Sequence, residues 1–315
     1  IMAGIKETEE IKPFNGLVLD GGGSKGIYSL GILNELELKL GTTLDNHFDL
    51  IYGTSTGSII GALIALGTPI KDIKALYLKY IPEIMSKTTR KGKSHALKKL
   101  GDKLFGAFTF KDFKTDIGIV SLNYDTQNPL VFKSNVKQAH GMHQSFVPGF
   151  GCSISDAVQS SCSAYPIFDF KFIETQNQGR IKTIDGGFIA NNATLFALVD
   201  VDKAFKIDHD RIKVISIGTG KFIEKPVQGL LNILRYFKIV KFIDRVLLSS
   251  SNTNVILTKL IYPDVKLVRL NDTYNEPEYG TNMVEQNTEK LEKLFQLGRD
   301  CYAKKENEIN RMLAE

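Results

Sequence analysis

Cysteine is scarce: Cys152, Cys162 and Cys301 are the only three in 315 residues. An odd, sparse set excludes a disulfide framework and predicts reduced thiols in a cytoplasmic protein. Cys152 and Cys162 have no clustered histidine beside them, so neither a metal site nor a cofactor is expected. No apolar run approaches the ~18 residues needed to span a bilayer. The stretch Ile1–Lys12 is polar, with Glu7, Glu9 and Glu10, and lacks the apolar segment of a signal peptide. Charge of one sign is also limited. A net +5 permits an anionic partner without demanding one, and no nucleic-acid partner is expected.

What is present is core material. Hydrophobic residues make up 43% of the chain, enough for one large α/β domain or two small ones. The stretch Leu50–Tyr52 is apolar and reads as a buried strand. Gly53-Thr54-Ser55-Thr56-Gly57 then turns abruptly, and Ile59, Ile60, Leu63, Ile64 and Leu66 follow at helical spacing. A serine on a tight strand-to-helix turn is held up at the strand's carboxyl end, and the helix N-terminus behind it offers amide groups to a developing oxyanion. Taken alone, the motif is equally compatible with an ordinary Gly/Ser loop.

Upstream, Phe14–Asp20 predicts a short strand that runs into Gly21-Gly22-Gly23-Ser24-Lys25-Gly26. A helix follows, with Gly41 as its stop. Gly21, Gly23 and Gly26 also satisfy G-x-G-x-x-G, a dinucleotide turn, but the next strand ends in Ser55 rather than in an acid. The other use of successive glycines is to aim backbone N–H groups at one spot, as acyl transfer requires. Adjacent strands would set this loop beside Ser55.

Further along, Ile70–Tyr80 predicts a helix. The stretch Lys87–Lys103 carries Lys87, Arg90, Lys91, Lys93, Lys98, Lys99 and Lys103 against Asp102, and reads as a solvated loop or as a patch for anionic lipid. Residues 117–122, 129–133 and 168–173 predict strands, 180–184 a strand ending in Asp185-Gly186-Gly187, 195–205 a helix and 213–218 a buried strand. Leu230–Leu248 is a mostly apolar helix with Asn232, Arg235, Lys238, Lys241 and Arg245 along one stripe: a core helix with one wet face, or one that meets a membrane or partner. A strand over 265–270 and a charged helix over 283–312 close the chain.

The serine needs a proton acceptor. His47, His95, His140, His143 and His209 all lie in contexts that read as surface positions. Asp185 ends a strand and enters a Gly-Gly turn, which places a carboxylate at a sheet edge, although a plain turn aspartate reads the same way.

Taken together, Asp20–Gly26 (D-G-G-G-x-[KR]-G), Gly53–Gly57 (G-x-S-x-G) and Asp185-Gly186-Gly187 (D-G-[GA]) resemble the patatin-like phospholipase family over roughly Phe14–Ile217. The resemblance implies a three-layer α/β fold with a mostly parallel sheet. It also implies a calcium-independent lipid acyl hydrolase working through a Ser–Asp dyad without histidine. Ser55 would be the nucleophile and Asp185 the base, and Gly21, Gly22, Gly23 and Ser24 would supply the oxyanion amides. Lys25 would steer the lipid or hold the loop, while Gly53, Thr56, Gly57, Gly186 and Gly187 would shape the turns. Phospholipid at a membrane surface is the expected substrate, with a peripheral cytoplasmic location. Residues 14–220 would form the catalytic core and 221–315 a helical extension completing the same domain. A homo-oligomer or a small-molecule activator is left open. Some bacterial members are switched on by a cyclic nucleotide, although no residue here marks a nucleotide pocket. The alternatives are a small-ester or acyl-thioester hydrolase, and a nucleotide-binding regulatory module built on the glycine loop.

Overall fold

The computed structural model describes residues 12–223 and 235–314. The polar N-terminal stretch up to residue 11, and Asn232 with the start of the apolar segment at Leu230, lie outside the described residues.

Strand β1 (Phe14–Leu19) forms because a run of apolar residues is buried on both faces, the pattern of a central parallel strand. The glycine turn follows, then α1 (Gly26–Leu40), which ends where Gly41 takes a left-handed conformation at φ 66°. β2 (Leu50–Thr54) feeds α2 (Thr56–Ala65), α3 (Ile70–Met85) and α4 (Arg90–Phe105). β3 (Asp116–Asn123) and β4 (Asn128–Lys133) form a hairpin, and α5 (Ile154–Ser161) follows. β5 (Lys171–Thr175) and β6 (Gly179–Asp185) form another, leading to α6 (Gly187–Ala190) and α7 (Thr194–Val199). Then come β7 (Ile212–Ile217), β8 (Lys221–Phe222), α8 (Arg235–Ile261), β9 (Lys266–Leu270), β10 (Thr273–Tyr274) and α9 (Thr288–Ala314).

The main sheet has the order β5-β6-β3-β2-β1-β7-β9, with β4 branching from β3. Strands β3, β2, β1, β7 and β9 are parallel. Helices α1 to α5 and α9 cover one face; α6 and α7, with α8 packed on them, cover the other. The expected three-layer α/β fold is the observed one.

The segment after residue 220 belongs to this body: β9 extends the sheet beside β7 and α9 lies along α1. The two helices approach so closely that a Cβ on Gly31 would stand 2.0 Å from the Phe295 carbonyl oxygen, and one on Gly298 would stand 2.0 Å from that of Tyr28. Glycine is required at both positions by this contact, not by backbone conformation.

Several local expectations are corrected. Lys87–Lys103 is not a loop: Thr89 caps α4 by accepting from the Gly92 amide at 3.0 Å, and Leu97, Leu100 and Phe105 turn inward at helical spacing. Not all of its basic residues are free. Lys93 is buried and donates to the carbonyls of Met85 and Lys87, Arg90 pairs with Asp169, Lys98 with Asp102, and Lys103 donates to the Tyr80 hydroxyl. The strand expected over 168–173 begins at Lys171, because the chain turns through Ala164–Phe168 first. The helix expected over 195–205 stops at Val199 and gives way to a wider π turn over Asp200–Ala204. The last helix begins at Thr288 rather than Met283.

Gly31→Ala forces α1 and α9 apart. Overpacking of this kind costs about 1–3 kcal/mol, so chemical denaturation should show a lower midpoint with an unchanged slope. An unchanged midpoint would mean that this crossing contributes nothing to stability.

Candidate active site

β2 delivers Ser55 at φ 52°, ψ −123°, a left-handed conformation that non-glycine residues rarely adopt. Only very small neighbours allow the turn. A Cβ on Gly53 would meet the Gly57 carbonyl oxygen at 2.4 Å, and one on Gly57 would meet that of Leu19 at 2.3 Å. The Ser55 amide donates to Ser161 Oγ at 2.8 Å, and that hydroxyl donates in turn to the Val120 carbonyl at 2.6 Å. Ser58 Oγ donates to the Ser55 carbonyl at 2.7 Å. The strained residue is thus held from both sides. Ser161 was not legible as a site residue, since its role depends on the end of α5 reaching β2 and β3.

Asp185 stands at the end of β6, opposite Ser121 of β3, while Thr54 at the end of β2 lies opposite Val120 of that same strand. The two side chains are therefore brought to one edge of the sheet from either side of β3. Asp185 is fully buried. One oxygen accepts the Gly187 amide at 2.7 Å, and Oδ2 has no hydrogen-bond partner. Burial raises its pKa from 3.8 to about 7, against the partial offset of the Gly187 amide and the nearby Ser55 hydroxyl. No histidine hydrogen-bonds Ser55 or Asp185 among the described residues: His140 binds Asp200, His143 binds the Val136 carbonyl, and His47 packs edge-on against Phe48.

The glycine loop abuts the serine; a Cβ on Gly21 would lie 3.0 Å from Ser55 Cβ. Its four amides are not equivalent. Gly21 N–H donates to the Asn191 carbonyl at 3.2 Å and Ser24 N–H to the Met283 carbonyl at 2.9 Å. Gly22 and Gly23 have no amide partner among the described residues.

Two charged residues of this loop are fastened to distant parts of the chain. Lys25 Nζ donates to Asp244 Oδ1 of α8 at 2.6 Å, and Lys25 is 5% exposed there. It holds the loop and is not free to steer a ligand. Asp20 accepts both guanidinium nitrogens of Arg269 on β9 at 2.8 and 2.5 Å, Asn192 Nδ2 at 2.8 Å and Ser251 Oγ of α8 at 2.9 Å. Asn191 and Asn192, just beyond the Asp185-Gly186-Gly187 turn, therefore clamp that turn to the glycine loop.

The profile of the patatin-like phospholipase family matches residues 17–198. This chain belongs to the patatin-like phospholipase family. A cUMP-AMP-activated phospholipase of Escherichia coli is 42% identical over 297 residues, covering 94% of this chain and 93% of that protein. A cGAMP-activated phospholipase of Pseudomonas aeruginosa (strain BWHPSA011 / Pa011) is 29% identical over 221 residues, 66% of this chain and 63% of that protein. Among solved structures, VipD from Legionella pneumophila shares the fold, with a TM-score of 0.50 at 14% identity over 93% of this chain and 66% of that one. The resemblance carried by the three motifs holds, and this patatin-like chain is a lipid-hydrolysing enzyme by family.

Beside Ser55 lies a narrow apolar cavity of about 30 Å³, walled by Ile81, Ile84 and Met85 of α3, Leu97 of α4, Phe168 and Met283. That is room for about one water molecule. An acyl chain enters only if these walls part.

If Asp185 takes a proton, it must first be ionised. The rate should rise with pH through a midpoint near 7, the pKa set by its burial. Stability should move the other way. The unfolded carboxyl ionises near 3.8 and the folded one near 7, so native stability falls as pH rises through that window. Asp185→Asn removes the penalty. Its melting temperature should exceed that of the wild type above neutral pH and converge with it below the ordinary carboxylate range. A wild-type rate that is flat across neutral pH would sink the assignment.

Proposed function

We propose that this protein is a calcium-independent phospholipase of the acyl-hydrolase type, with Ser55 as nucleophile and Asp185 as general base. The observation that carries the reading is the pairing itself. A serine held in a strained turn at a helix start shares a sheet edge with a buried carboxylate whose Oδ2 is unpartnered and whose pKa lies near 7. Asp185 draws the proton from Ser55 Oγ as the oxygen attacks the ester carbonyl. The resulting oxyanion is met by the amides of Gly22 and Gly23, with that of Thr56 opening α2. Gly21 and Ser24 support the loop rather than donate. The acid formed at Asp185 then protonates the leaving alcohol, and water repeats the sequence on the acyl-enzyme. No histidine is needed, because burial has already moved the carboxyl to the working pH.

We also infer that residues 14–220 and 221–315 act as one catalytic unit, since Arg269 and Asp244 both hold the glycine loop. The 42% identity to a cUMP-AMP-activated phospholipase over nearly the whole chain supports activation by a cyclic dinucleotide. The 30 Å³ cavity supports the same reading, because a resting site too small for its substrate calls for a switch.

A phospholipase must meet a bilayer, yet no helix among the described residues is long and apolar enough to cross one. α8 offers a docking face instead. Phe242 is 67% exposed between Lys238 and Arg245, which are exposed too, and this half of the helix begins above the glycine loop that Asp244 holds. An aromatic side chain flanked by cations suits the interface of an anionic membrane, at about 1 kcal/mol per basic residue near the surface.

With cyclic UMP-AMP present, in this and the following assays, a fluorophosphonate probe should label wild-type protein on Ser55, and Ser55→Ala should lose the label while keeping its melting temperature. Mass spectrometry should show free fatty acid and lysophospholipid from mixed liposomes. Asp185→Asn should reduce release about 10²–10⁴-fold. Labelling at another residue in an active preparation would overturn the nucleophile.

Phe242→Glu combined with Lys238→Glu should lower turnover on anionic vesicles and spare a short soluble ester. Equal loss on both substrates would point to damage at the site, and no loss on either would exclude this face from docking.

A further inference from the structure

On the sheet face opposite the Ser55 cavity lies a second cavity of about 510 Å³, within the usual size range of small-molecule sites. It is walled by β2, β4, α7, residues 138–150 and the turn between β5 and β6. Its polar floor is a single cluster. Asp200 accepts Tyr52 Oη at 2.5 Å, Lys133 Nζ at 2.6 Å, His140 Nε2 at 2.6 Å and Gln138 Nε2 at 2.9 Å. The ester chemistry uses none of these groups. A buried charged cluster contributes little net stability compared with well-packed apolar residues. It earns its place more readily by binding.

The walls supply what a nucleotide needs. Phe146 and Phe196 line the cavity, and aromatic rings of this kind can stack on a base. The amides of Asn177 and Gln178 stand at the exposed mouth, where they can donate to and accept from base edges. Lys133 and His140 can give charge-assisted hydrogen bonds to phosphate.

We propose that this cavity is the effector site and that its ligand is a cyclic dinucleotide; the proposal rests on the activation reading above. The connection to the chemistry is short. Tyr52 lies on β2, three residues before Ser55, and Asp200 follows Asp185 by fifteen, across α6 and α7. The Tyr52–Asp200 hydrogen bond thus ties the strand bearing the serine to the segment bearing the aspartate, and Thr54 Oγ1 to the Ala190 carbonyl, at 2.7 Å, is a second tie. Phosphate oxygens compete with Asp200 for Lys133 and His140. Occupancy therefore changes the bonds that Asp200 keeps with Tyr52 and biases α7 against β2. The ligand favours whichever arrangement of these elements binds it better. Ser55 directly follows β2, and Asp185 ends β6 just before α6 and α7.

The test is calorimetric titration of the full chain with cyclic UMP-AMP and cyclic GMP-AMP. Met142 and Val199 line the cavity and are 69% and 37% exposed, so charge can be added there without touching the Asp200 cluster. Met142→Glu with Val199→Glu should weaken binding at least tenfold by repelling phosphate, Met142→Lys should not weaken it, and Phe196→Ala should lose affinity through stacking. Ser55→Ala should bind as the wild type does. Wild-type protein that binds neither nucleotide would overturn the activation reading and this site together. Wild-type binding that the two glutamates leave unchanged would overturn the site alone.

Discussion

The buried pairing of Asp20 with Arg269 is the constraint on which the rest of the site depends. Asp20 ends the central strand and begins the glycine loop, and it is 3% exposed. A lone carboxylate there would be prohibitively costly. Arg269 answers it from the neighbouring end of β9, while Asn192 and Ser251 satisfy the remaining lone pairs. Breaking such a pair from one side leaves an uncompensated buried charge, which typically costs about 3–5 kcal/mol. One cluster thus fixes four segments around the loop: β1, β9, α8 and the Asn191-Asn192 corner. The start of the glycine loop is fixed in place because Asp20, the residue before Gly21, is held on every side.

Strain is placed where that anchoring can bear it. Ser55 occupies an unfavourable backbone region, yet its amide, its carbonyl and both flanking glycines are engaged by neighbours. Asp185 is the electrostatic counterpart, a carboxyl kept out of water with one oxygen unpartnered. Each is unstable in isolation and is held by rigid elements, which is the usual physical condition of a reactive site.

Much of this was legible in the sequence, because it is local. The glycine loop, the elbow and the Asp-Gly-Gly turn are written in consecutive residues, and each sits at a strand end that periodicity alone predicts. What was not legible involves partners far apart. Lys25 meets Asp244 across 219 positions and Asp20 meets Arg269 across 249, so Lys25 could be read as a steering charge, and no motif tied the segment after residue 220 to the glycine loop. The Asp200 cluster joins Tyr52 of β2, Lys133 of β4, Gln138 and His140 of a 3-10 turn and its C-cap, and Asp200 of the π turn, and none of these residues belongs to a motif. The basic stretch before Lys103 misled for another reason. Its lysines mask the spacing of Leu97, Leu100 and Phe105, and a lysine whose ammonium is satisfied by two carbonyls is buried although its type predicts solvent.

The close crossing of α1 and α9 at Gly31 and Gly298 also bears on how the chain reaches this state. The apolar stripe of α1 is made long before the helix that covers it, since Gly298 lies far downstream of Gly31. Contacts of such long sequence separation form late and slowly. Until α9 has been made, the stripe beside the glycine loop stays open to solvent and to other nascent chains. A chain truncated before Thr288 lacks the surface against which α1 packs.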